Sequence, residues 1–192
     1  MRAAVYPLLV LACSLWYGGG LRAADLDKEF LNKRWGAPLS EFADYVNVGG
    51  SGKIAYYVHP KQAYTLFDVE VASLVYGFYD DKFFAAYADL EAIDDYSAIK
   101  HRLQQRFGVP KISMESRGAL TTHSWTVGDT RIKMKSSEAS GAMKLSFYHM
   151  PLAGRANADL QRDLDEEPPE PLFPLSRTRQ KEAVELLELF SY

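Results

Sequence analysis

Residues 75–87 read VYGFYDDKFFAAY, six aromatic rings around a central pair of aspartates, Asp80 and Asp81. Such a run leaves few folds open. Upstream of it, Val69, Val71, Ser73 and Val75 alternate with Glu70, Ala72, Leu74 and Tyr76, a period of two over β-rich residues, and adjacent aspartates carry turn chemistry. The pattern predicts a hairpin. If Asp80 and Asp81 form a two-residue loop, Phe78 faces Phe83, Tyr76 faces Ala85 and Leu74 faces Tyr87, so one side becomes an apolar face. On the other side Gly77 lies opposite Phe84, and Tyr79 and Phe84 become the hairpin's candidate partner-binding rings.

That apolar face needs a cover. Downstream, DYSAIKHRLQQRFG places Tyr96, Ile99, Leu103 and Phe107 at helical intervals, with Asp94 or Asp95 as the cap and Gly108 and Pro110 as the stop. A helix over about 94–107 is predicted. Two different periods, two and 3.6, each present an apolar face, so Phe78, Phe83, Tyr96, Ile99, Leu103 and Phe107 are expected to share one interior. Around this pair the pattern predicts a short helix after Pro38 and strands at 45–48 and 53–58 flanking GGSG. Further strands are predicted at 119–126, 130–135 and 142–150. The expected fold is α+β: a single small domain over residues 25–150, an antiparallel sheet of hairpins packed against one main helix.

The two ends differ from this domain in composition. Arg2, an apolar run from Val5 to about Tyr17, and the small pair Ala23 and Ala24 follow the order of a secretory signal, which predicts a signal peptide over residues 1–24 cut after Ala23 or Ala24. The run is too short, and interrupted by Pro7, to be an integral membrane span. In a second reading VLAC, residues 10–13, resembles a lipobox that would make Cys13 the lipidated first residue, although Leu11 fits that motif poorly. After cleavage at Ala23 or Ala24 the chain has no cysteine, so neither disulfides nor thiolate chemistry are available to it. Residues 151–175 are charged and proline-rich and are expected to be a flexible acidic linker. Beyond them Ala183, Leu186, Leu187 and Phe190 form a helical stripe in 176–192, an amphipathic C-terminal helix whose Leu186, Leu187 and Phe190 are candidate partner-binding residues.

Candidate chemistry is sparse. With a net charge of −3 and no basic stripe of the kind that tracks phosphates, nucleic acid is not an expected partner. The pairs Asp80, Asp81 and Asp94, Asp95 lack the spacing of a calcium loop and suit turn and cap positions. His59, His101, His123 and His149 are scattered without zinc-ligand spacing. Ser124 beside His123 would face the other way on a strand, and no nucleophile elbow surrounds it. The glycines of VGGSGK lack the phosphate-loop spacing. No catalytic residue, metal ligand or cofactor is predicted.

Trp35-Gly36, YGFYDDKF at residues 76–83, RFGVP at 106–110 and SW ahead of VGDTRIKM together form a pattern that resembles small bacterial envelope proteins, over the stretch from Trp35 to Met150. The arrangement is also loosely similar to the α+β domains of outer-membrane assembly lipoproteins, from which the poor lipobox and the long acidic tail depart. The resemblance implies partner binding without chemistry and supplies no catalytic residue. The expected function is therefore an exported, periplasmic or secreted, non-catalytic module that binds an envelope protein or peptide through a sheet edge or its aromatics. The alternatives are a hydrolytic enzyme assembled from distant residues and a lipid-anchored assembly-factor-like lipoprotein.

Overall fold

The computed structural model describes residues 26–60, 64–115 and 120–166. Its elements run β1 (Glu29–Phe30), β2 (Lys33–Arg34), a 3-10 turn (Leu39–Glu41), β3 (Val46–Ser51), β4 (Ile54–Val58), β5 (Tyr64–Leu66), β6 (Val69–Val71), β7 (Val75–Tyr79) and β8 (Lys82–Leu90). The chain continues with α1 (Ile93–Phe107), β9 (Lys111–Glu115), β10 (Leu120–Val127), β11 (Thr130–Ser137), β12 (Met143–His149) and α2 (Met150–Glu166). Eight strands form one antiparallel sheet in the order β3-β4-β7-β8-β12-β11-β10-β9, and β1-β2 and β5-β6 are separate two-stranded ribbons.

The fold is mostly β, which corrects the α+β expectation of one sheet on one main helix. Twelve strands and two α-helices are formed by the described residues. The helices take opposite faces of the sheet. Tyr96, Ile99 and Leu103 of α1 join the larger core with Phe78, Phe83, Ile132, Met134 and Phe147, while Leu152, Ala153 and Ala156 of α2 join Tyr56, Phe84, Ala85, Tyr87 and Tyr148 on the other side. A sheet with both faces covered at its centre needs apolar side chains at successive positions, and β8 accordingly buries six in a row, from Phe83 to Ala88.

The central hairpin turns where expected. Asp80 and Asp81 adopt φ values of +51° and +57°, the left-handed pair that a two-residue hairpin loop requires and that aspartate tolerates better than most residues. Phe78 pairs with Phe83 as predicted, but the register then shifts so that Gly77 pairs with Ala85 and Val75 with Tyr87. Phe84 is the extra residue of this bulge. A bulge re-aims its side chain, so Phe84 faces α2 while Phe83 faces the larger core. Gly77 fits here because a β-carbon would lie 3.2 Å from both the Phe84 ring and the Ala85 methyl.

Helix α1 starts slightly earlier than predicted, with Ala92 as its N-cap and no side-chain cap bond; Asp94 and Asp95 lie in its first turn, where carboxylates oppose the positive end of the helix dipole. Gly108, at φ +81°, terminates it. Residues 151–166, expected within a linker, belong to α2. Pro151 sits in the first turn of that helix, where its missing N–H costs nothing, and Leu152, Ala153 and Ala156 supply the buried stripe. The expected C-terminal helix over 176–192 with Leu186, Leu187 and Phe190, and the expected signal segment with Cys13, Ala23 and Ala24, lie outside the described residues. Within the described residues no helix is long and apolar enough to cross a membrane.

The start of the described chain is clasped to the β10–β11 turn. Leu26 is fully buried, and its carbonyl accepts hydrogen bonds from Trp35 Nε1 at 3.0 Å and from Thr130 Oγ1 at 2.7 Å. The Asp27 carboxylate accepts the Asp129 N–H at 2.7 Å and packs so closely against Gly128, at φ +55°, that a β-carbon there would collide with it. Trp35 in turn stacks on Phe83 with ring centroids 4.7 Å apart.

Candidate functional site

Helix α2 packs on β7, β8 and β12, and it leaves the same sheet face open over β9, β10 and β11. The pairing register defines what that open face carries. Lys111 of β9 pairs with Ser124 of β10, which pairs with Lys133 of β11; Ser113, Thr122 and Lys135 form the next row, and Thr126 and Arg131 begin the row on the other side. Column by column, short hydroxyl side chains line β10 while long cationic ones line β11 and Lys111 and Glu115 flank β9. Short residues between long ones make a trough. Lys111, Ser113, Glu115, Thr122, Ser124, Thr126, Arg131, Lys133 and Lys135 enclose a groove of about 450 Å3 with four cations and a single carboxylate, and no lining residue is aromatic.

Lys133 is half-buried. Its ammonium lies 5.7 Å from the centroid of the Tyr148 ring, and desolvation, with repulsion from Lys135 and Arg131, lowers its pKa to about 8. Beside the groove, β9 is the last strand of the sheet. Ser124 Oγ donates to the Lys111 carbonyl at 3.3 Å, and Trp125 Nε1 donates to the Gly108 carbonyl at 2.9 Å, so β10 holds both β9 and the end of α1 that leads into it. The α1-side residues of β9, Ile112 and Met114, remain 56% and 72% exposed, and Val109 before them is 91% exposed. At the opposite edge β3 is broken by a bulge between Asn47 and Gly49. A bulged, glycine-bearing edge discourages pairing, whereas β9 is regular and apolar on one face.

The structure separates the residues that the sequence singled out. Phe84 is only 1% exposed, beneath α2, and Tyr79 donates its hydroxyl to Asp159 Oδ2 of α2 at 2.7 Å. Their partner is the chain's own helix, because the bulge turned Phe84 toward it. Lys53 Nζ reaches the same carboxylate at 2.9 Å, and the Tyr79 hydrogen bond together with Lys53 holds the Asp159 carboxyl below its usual pKa. His123 and Ser124 point to opposite faces, the former toward Tyr96 with Nδ1 and the phenol oxygen 3.2 Å apart. His149 stacks on Trp35 with centroids 6.1 Å apart, His59 packs against Tyr45, and His101 contacts Gln105. Among the described residues no three of His, Cys, Asp or Glu gather as a metal site would require. The groove and the β9 edge were missed, although KISME alternates at 111–115 and Arg131, Lys133 and Lys135 alternate with Ile132 and Met134.

Two of these histidines make folding sensitive to pH. Desolvation, with Lys100 adding to it, lowers the pKa of His123, and desolvation lowers that of His149 against an opposing pull from Asp129 and Asp27. The unfolded chain binds protons near the ordinary value of 6.5 that the folded chain refuses, so stability is full above that value and falls as pH drops through it. The melting temperature is expected to fall between pH 7.5 and 5.5, and His123→Gln is expected to flatten the slope. Asp159 does not contribute there, because a carboxyl with a lowered pKa loses its stabilising effect only at more acidic pH.

No protein-family model matches the chain, and no curated protein matches it. Among solved structures it is similar to a DUF4309 family protein (YjgB) from Bacillus subtilis, with 11% identity over 53% of this chain and 68% of that one and a TM-score of 0.33. A likeness at that level carries no argument about fold or function.

Proposed function

We propose that this chain is an exported, non-catalytic module of the bacterial cell envelope that binds a protein or peptide by adding its extended segment to the sheet at β9. One observation carries the reading. Strand β9 ends an eight-stranded sheet with no further strand beyond it among the described residues, and Ile112 and Met114 lie exposed along it. A regular edge offers a row of backbone donors and acceptors, and adjacent apolar side chains give an incoming strand surface to bury. Export is supported by the Arg2, apolar-run and Ala23-Ala24 pattern. It is compatible with a core that begins at Leu26, since cleavage after Ala23 or Ala24 spares every buried residue described.

The test is affinity capture from envelope extract, with the bait's intact mass checked for a start near Ala24 or Asp25. The unaltered chain is expected to retrieve a partner that Ile112→Lys with Met114→Lys does not, because lysines on an edge strand oppose pairing. Both positions are exposed, so the double variant should lose no more than about 0.5 kcal/mol of stability per site. Equal recovery by both baits would remove the edge from the proposal, and a retained Met1 would remove export.

A further inference from the structure

The groove beside β9 has a repeat as well as a charge. Arg131, Lys133 and Lys135 stand on one side of β11 at every second residue, which on a strand spaces them by about 7 Å. An extended polypeptide has the same repeat. A chain laid along β10 with carboxylates at alternate residues would therefore meet one cation after another, and Thr122, Ser124 and Thr126 along the floor would offer hydroxyls to it. Single-stranded nucleic acid fits poorly, since its general binders add aromatic platforms on which bases stack and this groove has none.

We infer that the groove along β10 receives an extended acidic segment of a partner protein, with Asp or Glu at alternate positions, held over the sheet face by Lys111, Arg131, Lys133 and Lys135. The inference rests on the binding-module reading and names the chemistry of its partner. Lys133 adds a signature: its ammonium, desolvated and repelled by Lys135 and Arg131, loses its charge as pH rises through about 8, and with it the attraction for a carboxylate. The chain carries further acidic residues past α2, Glu167 and Glu170, so its own tail is the competing occupant to be tested. Asp159 of α2 meets Tyr79 and Lys53 at the β4–β7 end, which directs the helix away from the groove.

The experiment is fluorescence anisotropy of a labelled twelve-residue peptide of alternating Glu and Thr, titrated with the full chain. Saturable binding is expected at neutral pH, weaker above pH 8 and in high salt, and at least about tenfold weaker in Lys133→Glu with Lys135→Glu. Lys111→Glu, on the edge strand, should weaken it as well and serves if circular dichroism shows the double variant unfolded. Unchanged affinity in the folded variants overturns the inference. So does equal binding of a Lys-Thr peptide, or stronger displacement by polyphosphate than by unlabelled peptide, which would assign the groove to phosphate polymers. Tighter binding after Glu167→Gln with Glu170→Gln in the full chain would show the tail in the groove and overturn the partner. A protein captured through β9 with no peptide binding refutes the groove alone and leaves the module standing.

Discussion

Phe83→Ala is expected to lower the free energy of unfolding by about 3–5 kcal/mol, measured by chemical denaturation. The ring is fully buried and stands where three parts of the fold meet. It stacks on Trp35 at 4.7 Å, lies 5.5 Å from Phe42, 5.8 Å from Phe78 and 5.6 Å from Tyr76 between centroids, and its backbone bonds both Gly36 and Ala37. Burial alone accounts for about 1.5–3 kcal/mol of that figure, and the cavity left among rigid rings supplies the rest, because aromatic neighbours fixed by their own contacts cannot collapse into it. A loss below about 1 kcal/mol would mean that the N-terminal segment does not pack on the hairpin as described.

Leu103→Ala should cost about 2–5 kcal/mol by the same measurement. Leu103 is fully buried on the face of α1 that also presents Tyr96 and Ile99, and it joins the core that holds Ile132, Met134 and Phe147 of the sheet. Both ends of the helix are held by other bonds, Tyr96 to His123 and Gly108 to Trp125, so the helix cannot readily move inward to fill the space. A cost below about 0.5 kcal/mol, the scale of a surface substitution, would detach α1 from the sheet and reopen the question of what covers Phe78 and Phe83.

Much of this centre could be read from residue order. Phe78 opposite Phe83, the turn at Asp80 and Asp81, and the stripe of Tyr96, Ile99 and Leu103 follow from periodicity, and periodicity is what a one-sided core imposes on a chain. The register past Phe83 could not be read, because one inserted residue in a run as uniformly apolar as FFAAY leaves no phase to detect. Helix α2 was hidden for a different reason. Two of its three buried residues are alanine, Leu160 and Leu164 stand among charged neighbours, and Pro151 signals a helix start and a helix stop equally well. The candidate groove shows the limit most clearly. Thr122, Ser124 and Thr126 beside Arg131, Lys133 and Lys135 have the pattern of any solvated strand face. What leaves the trough open is that α2 lies over β7, β8 and β12 and stops short of it, a fact of tertiary placement that no local pattern encodes.

The clasp at Leu26 also bears on the order in which the fold can be completed. Its bond from Thr130 and the bond from Asp129 to Asp27 span 104 and 102 positions of sequence. During synthesis, Leu26 therefore emerges long before the atoms that bury it exist, and the loop that must close between them is among the longest the domain contains. Contacts of such separation reward the chain only after their closure entropy has been met, so they form late and slow the approach to the native state. The hairpin of β7 and β8 and the helix α1, whose contacts are local, can be in place by then. The N-terminal strap therefore cannot close before the β10–β11 turn has been made, and the chain stays open along that seam until then.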